Sequence, residues 1–170
     1  MLQTAYGSEP QMGTHTVSLA LDTVFLALQT FVVAFLLFHD WVPLGRLNNL
    51  GAIQSEDSAG RRVFVTLLPG VPTALGLYWS AIHFGRSYPG DLTWFLWITY
   101  GVLLAGVLQA WWVPYLLVPD PKRAARYQIL FRGTHTFLPV RNGIAPDALH
   151  CCLHLALVVI VILLAVRTAS

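Results

Sequence analysis

Long apolar stretches alternate with short polar ones along this chain, and the apolar stretches are too long for an ordinary core helix. VSLALDTVFLALQTFVVAFLLF covers 17–38, VFVTLLPGVPTALGLYWSAIHF covers 63–84, and LTWFLWITYGVLLAGVLQAWWVPYLLV covers 92–118. A last run, LHCCLHLALVVIVILLAV, covers 149–166. A membrane helix needs about 20 mostly apolar residues. The pattern therefore predicts an all-α membrane protein with four transmembrane helices in one domain over 1–170. A polar tail at 1–16 is expected to be loose. Met12 is a second candidate start beside Met1. No Lys or Arg precedes the first run, and HDWVPLG follows it where a small-residue cleavage site would stand, so it is read as a span and not as a cleavable signal.

Composition supports the membrane reading. The chain is 56% hydrophobic and 11% charged over 170 residues, with a mean hydropathy of +0.62. Soluble domains carry about 25% charged residues. The net charge of +2 says less than where the charges fall. Arg46, Arg61, Arg62, Lys122, Arg123, Arg126, Arg132 and Arg141 lie in the connections after the first and third spans, whereas the other side has Arg86 and Arg167. By the positive-inside rule both long connections are cytoplasmic and both termini outside. Trp41, Trp111, Trp112 and Tyr115 mark the inner interface; Tyr78, Trp79, Tyr88, Trp94 and Trp97 mark the outer one. No basic run alternates with exposed aromatics, so nucleic acid is set aside as a partner. Membrane lipids are the expected partner, with a second copy or a membrane complex as further candidates. A bacterial inner membrane is the expected location.

Packing cues accompany the spans. Gly76 and Ser80, and Gly101 and Ala105, have the spacing that lets helix backbones approach closely. Pro69, Gly70 and Pro72 predict a kink in the second span. WVP occurs at 41–43 and again at 112–114. An internal duplication is one reading, and convergence on the interfacial preferences of Trp and Pro is the other. Cys151 and Cys152 are adjacent, point about 100° apart on a helix, and so are not expected to bridge.

Charged and polar groups inside hydrocarbon are costly and call for a reason. Ser18, Asp22, Gln29 and Asp40 fall on one arc of the first helix, a stripe suited either to a polar path or to a helix neighbour. The third and fourth spans are joined by VPDPKRAARYQILFRGTHTFLPVRNGIAP. Asp120–Pro121 predicts the start of an interfacial helix over 121–131. Gly133, Asn142 and Gly143 permit unusual dihedrals in the segment that follows, which should form a re-entrant-like fold over the helix ends, with Phe131, Phe137 and Leu138 inserted.

DALHCCLH then opens the fourth helix. Asp147, His150 and His154 are three and four residues apart and share a helix face. His39, Asp40 and His135 fall in the same leaflet. The predicted site is a His/Asp/Arg-lined pocket at the cytoplasmic leaflet, binding or chemically processing a small or lipid-like substrate. His39, Asp40, His135, His150 and His154 are its acid–base candidates. Arg126, Arg132, Arg141, Gln109, Trp112 and Tyr115 are its substrate-binding candidates. Asp147, His150 and His154 are also a candidate set for a divalent metal cofactor. Two alternatives stand beside an enzyme or binding protein: an oligomeric transporter or channel for a small solute or ion, and an accessory subunit of a membrane complex.

Overall fold

A computed structural model describes residues 10–169, with side chains described from Leu19 onward. The described chain is all helix and connection. Helix α1 is Pro10–Phe38, α2 Leu50–Glu56, α3 Ala59–Ile82, α4 Gly90–Val107, α5 Val113–Leu116, α6 Pro121–Leu130 and α7 Ala148–Ala169. A π-helical turn, Leu108–Trp112, joins α4 to α5 without a break, so Gly90–Leu116 acts as one rod. Four helices are long and apolar enough to cross a membrane: α1 from Leu19, α3, the α4–α5 rod and α7.

Capping decides where these elements begin. Ser58 accepts the amide of Arg61 and starts α3 at Ala59, four residues before the hydropathy pattern does. Asp120 accepts the amide of Arg123 and precedes Pro121, giving α6 the proline-first entry anticipated from the sequence. The helix α1 begins at Pro10, so 10–16 are helical and not the loose tail expected; residues 1–9 of that tail lie outside the described residues. At the other end of the chain α7 continues to Ala169 and takes Arg167 into the last helical turn.

The long helices form a closed ring. The helix α1 packs on α3 and α7, and α4 packs on α3 and α7. Phe25, Val32, Leu92, Leu96, Tyr100, Leu153, Leu157, Ile160 and Leu164 meet in the centre. The ring is tight where small residues permit it: a Cβ on Gly76 would stand 3.0 Å from Leu96. Gly101 has open space at its Cβ position, and Ala105 is exposed, so this second small-residue pair faces outward and does not pack within the ring. The outer surface is apolar, with Leu68, Trp94 and Val102 among its exposed side chains. Such a surface is a liability in water and suits hydrocarbon.

Helix α3 runs through both Pro69 and Pro72. The Thr73 hydroxyl lies against the same stretch, donating to the Pro69 and Gly70 carbonyls at 2.8 and 2.9 Å. The two WVP copies are structurally unlike. Trp41, Val42 and Pro43 leave the end of α1, whereas Trp112, Val113 and Pro114 lie within the continuous rod.

The segment between α6 and α7 folds back over one end of the ring. Gly133, Asn142 and Gly143 have φ of 77°, 52° and 77°, the left-handed backbone foreseen for this stretch. Backbone bonds pin it: the His135 amide donates to the Arg46 carbonyl, and the Ala148 amide donates to the His135 carbonyl, both at 2.8 Å. The Tyr115 hydroxyl donates to Pro139 at 3.0 Å, and Asn142 donates to the carbonyls of Pro114 and Tyr115. Ile144 fills a second small core with Trp111, Tyr115 and Ala124. Phe131 packs against that core, but Phe137 is exposed.

Candidate functional site

The covered end of the ring brings His39, Asp40, Asp147, His150 and His154 together. Phe38 is the last residue of α1, and the turn beyond it carries His39 inward, buried at 7% exposure. Asn48 fixes that turn. Its side-chain amide donates to the carbonyls of His39 at 2.6 Å and Val42 at 2.8 Å, and its oxygen accepts the Leu44 amide at 2.8 Å. Asp147 stands just before α7 and is fully buried. One of its oxygens accepts the His150 amide at 3.0 Å as a helix cap, and the other bonds His150 Nδ1 at 2.7 Å.

Two carboxylate–imidazole pairs result. Asp40 Oδ1 lies 2.6 Å from His39 Nδ1, and Asp147 Oδ2 lies 2.7 Å from His150 Nδ1. The two imidazoles meet edge to face, with centroids 4.7 Å apart. A carboxylate on Nδ1 fixes the orientation and tautomer of the ring. His39 Nε2 is buried without a hydrogen-bonding partner, as are both ring nitrogens of His154. Burial pushes the Asp147 carboxyl up. The His150 side-chain hydrogen bond, the charges of His150 and His39, and the His150 amide outweigh that and hold it below its ordinary value.

Aromatic rings wall the cluster. Phe35 stacks on His39 at 4.7 Å and meets His150 at 5.2 Å. Trp111 lies 4.7 Å from His150 and 5.8 Å from His154. Phe131 meets His150 at 5.1 Å, and Trp112 meets His154 at 5.9 Å. The π turn that carries both tryptophans is held from outside by α6. Arg123 donates to the carbonyls of Gln109 and Ala110 at 2.9 and 2.8 Å, and the Tyr127 hydroxyl donates to Ala110 at 3.2 Å. Pro114 has no N–H to donate back into this turn, which leaves an acceptor there for α6 to satisfy.

Not every sequence candidate joins the site. The His135 side chain is exposed, and its backbone provides the link between Arg46 and α7. Arg126 is bound to Asp57 through Nη2, at 2.7 and 2.9 Å to the two carboxylate oxygens, and clips α6 to the end of α2. Arg132 and Arg141 are exposed; Arg132 gives its carbonyl to Asn49, and Arg141 forms the bridge with Ile144. Gln109 is exposed, on the far face of the helix that presents Trp111. Tyr115 is buried but directed to Pro139. Trp112 alone among the substrate-binding candidates touches the cluster. The expected metal set is not assembled: among the described residues no group of three or more His, Cys, Asp or Glu is arranged to hold a metal ion. Asp147 spends both oxygens on His150, and the His154 ring lies 6.0 Å from that of His150.

Sequence reasoning missed Phe35, Trp111, Phe131 and Asn48 as parts of the site. Phe35 carried a signal, because it precedes His39 by one helical turn. Asn48 and Phe131 meet the cluster only through the folded connections.

At the opposite end of the ring, the polar stripe of α1 finds partners. Asp22 pairs with Arg167 of α7 and accepts the Gly85 amide at 2.8 Å. Gly85 has φ of 72°, which turns that amide inward. The Arg167 guanidinium lies 3.9 Å over the Tyr88 ring. Gln29 donates to the Ser80 hydroxyl at 3.2 Å. Asp40 is not part of this stripe, since it lies beyond the end of α1, and the Ser18 side chain lies outside the described residues.

The class defined by fold and site is a small all-α chain with four potential spans and a buried imidazole cluster. Compared with protein-family models, curated proteins and solved structures, the chain matches none.

Proposed function

We propose that this chain is a multi-pass membrane protein that binds the polar part of a small or lipid-like substrate at its histidine end and acts on it by acid–base chemistry. One observation carries the reading: two imidazoles are each oriented by a carboxylate, and the ring nitrogen of His39 left over is buried and unpartnered. Buried polar atoms are nearly always satisfied in native proteins, so this group is read as waiting for a ligand. His39 and His150 are the proton-handling residues, with Nε2 facing the substrate. Asp40 and Asp147 orient them. Trp111, Trp112, Phe35 and Phe131 exclude water and pack on the apolar part of the substrate.

The Lys/Arg bias supports placing this end in the cytoplasm and both termini outside, in a bacterial inner membrane. Surrounding lipid is the proposed partner of the apolar outer surface, and a second copy the proposed partner of the Gly101–Ala105 face.

The test is mass spectrometry of ligands retained by protein purified in mild detergent. The expected result is a stoichiometric lipid or small polar molecule on the wild type, absent from His39→Gln/His150→Gln. Identical retention by both proteins, or none by either, would overturn the reading.

A further inference from the structure

An open groove of about 540 Å³ lies between the Leu116 end of the α4–α5 rod and the first turn of α6. Val113 and Pro114 of the rod, with Val118 and Pro119 of the turn that follows, give it apolar walls. Polar groups enter from two sides: Gln109 from the π turn, and Asp120, Lys122 and Arg123 from the start of α6. Neither the clustered histidines nor the rings around them line it. The groove is therefore separate from the site proposed above.

The charges around the groove leave one cation over. Both Asp120 oxygens are spent on Arg123: Oδ1 accepts its amide at 3.0 Å, and Oδ2 lies 3.4 Å from Nε. Arg123 Nη1 is spent on the carbonyls of Gln109 and Ala110. Asp120 and Arg123 thus cancel each other. Asp57, another carboxylate on this end, is taken by Arg61 and Arg126. Lys122 is exposed and forms no ion pair among the described residues. It stands at the first turn of a ten-residue helix, where the helix dipole adds a field of the same sign. An apolar groove with one uncompensated ammonium at its edge matches an amphiphile whose polar end is negative.

We propose that this groove binds one anionic phospholipid of the surrounding bilayer, with the lipid phosphate on Lys122 and the acyl chains along Val113 and Val118. The rod that forms one wall is long and apolar enough to cross a membrane, so bilayer lipid is what reaches the groove. Leu117 and Val118, 73% and 64% exposed, continue the apolar surface past its rim. A free phosphate would leave those walls in water, whereas a lipid covers them. A zwitterionic headgroup brings its own cation to the phosphate and gains less from Lys122 than a net-anionic one does. One basic residue at a membrane surface changes affinity for anionic lipid about fivefold. The exposed Gln109 amide suits a phosphate or ester oxygen, which both kinds of lipid carry, and so adds affinity without selecting between them.

The experiment is native mass spectrometry of the full chain in mild detergent, titrated with an equimolar mixture of phosphatidylglycerol and phosphatidylcholine of the same acyl chains. The wild type should carry the phosphatidylglycerol adduct about fivefold over the phosphatidylcholine one. Lys122→Gln should lose that preference, and Lys122→Arg should keep it. Val118→Trp, which fills the groove from an exposed position, should lower both adducts with helical content unchanged. Arg132→Gln, exposed but outside the groove, should keep the preference. So should His39→Gln/His150→Gln, which separates this site from the histidine end. Equal adducts on the wild type, or a preference that Lys122→Gln retains, overturns the proposal. An equal loss in Arg132→Gln also overturns it, because diffuse surface charge then does the selecting. Displacement of the lipid by inorganic phosphate overturns it as well, by identifying a site for the free anion. If Val118→Trp fails to fold, the two Lys122 variants decide.

Discussion

His39, from the end of the first long helix, and His150, from the start of the last, lie edge to face with ring centroids 4.7 Å apart. Each is tethered by its own carboxylate, Asp40 and Asp147. The relationship joins the first and last long helices at the covered end of the ring and sets the predictions that follow.

Asp147 holds both the helix start and the ring of its neighbour. Asp147→Asn keeps the shape and discards the charge that accepts two bonds from His150. A buried charge-assisted hydrogen bond contributes about 1.5–3 kcal/mol, so thermal unfolding in detergent should shift clearly downward. Asp40→Asn should shift it less, because the Asp40 side chain is 26% exposed.

The same carboxyl sets an acid limit. Its folded pKa lies below its ordinary value of 3.8. A depressed carboxylate contributes stability that is fully present above the ordinary value and lost as pH falls through the folded one. Unfolding followed by circular dichroism should therefore show wild-type stability declining below pH 3.8, with a shallower decline in Asp147→Asn. Parallel slopes would show that Asp147 contributes nothing to the acid response.

At the other end, the Asp22–Arg167 pair ties α1 to α7 in the ring interior. Removing one partner of a buried pair costs about 3–5 kcal/mol, because the other charge is stranded. Arg167→Gln should therefore unfold at lower temperature than Asp22→Asn/Arg167→Gln. Additive single and double effects would mean that the two residues do not interact.

Arg123 reaches the bundle through the carbonyls of Gln109 and Ala110. Arg123→Ala should loosen the π turn, raise amide exchange over 108–115, and shift the emission of Trp111 and Trp112 toward longer wavelength. Unchanged exchange there would remove α6 as a support of the site.

Much of this architecture was legible in the sequence, and the reasons are specific. A solvent of hydrocarbon imposes length and apolarity on each span, so the four helices could be read directly. Helix spacing alone joined Asp147 to His150 and His154. Asp120–Pro121 announced α6. Helix starts were less legible where a cap and not hydropathy decides them, as at Ser58. The failures lie with residues in connections. Arg126 looks like a ligand-binding cation until Asp57 is found beside it, and His135 looks like a member of the cluster until its backbone proves to be the part in use. Asp22 and Arg167 are individually visible, and antiparallel packing of the first and last spans brings them to one end, but spacing within a helix does not show which residues of two different helices meet.

Convergence of His39 and His150 is the claim on which the rest stands. Solid-state NMR of the protein in lipid bilayers, with ¹³C,¹⁵N-labelled histidine, tests it most directly. The account predicts a ring-to-ring cross-peak between these two residues, lost in both His39→Gln and His150→Gln. The absence of that cross-peak from the wild-type spectrum would contradict it.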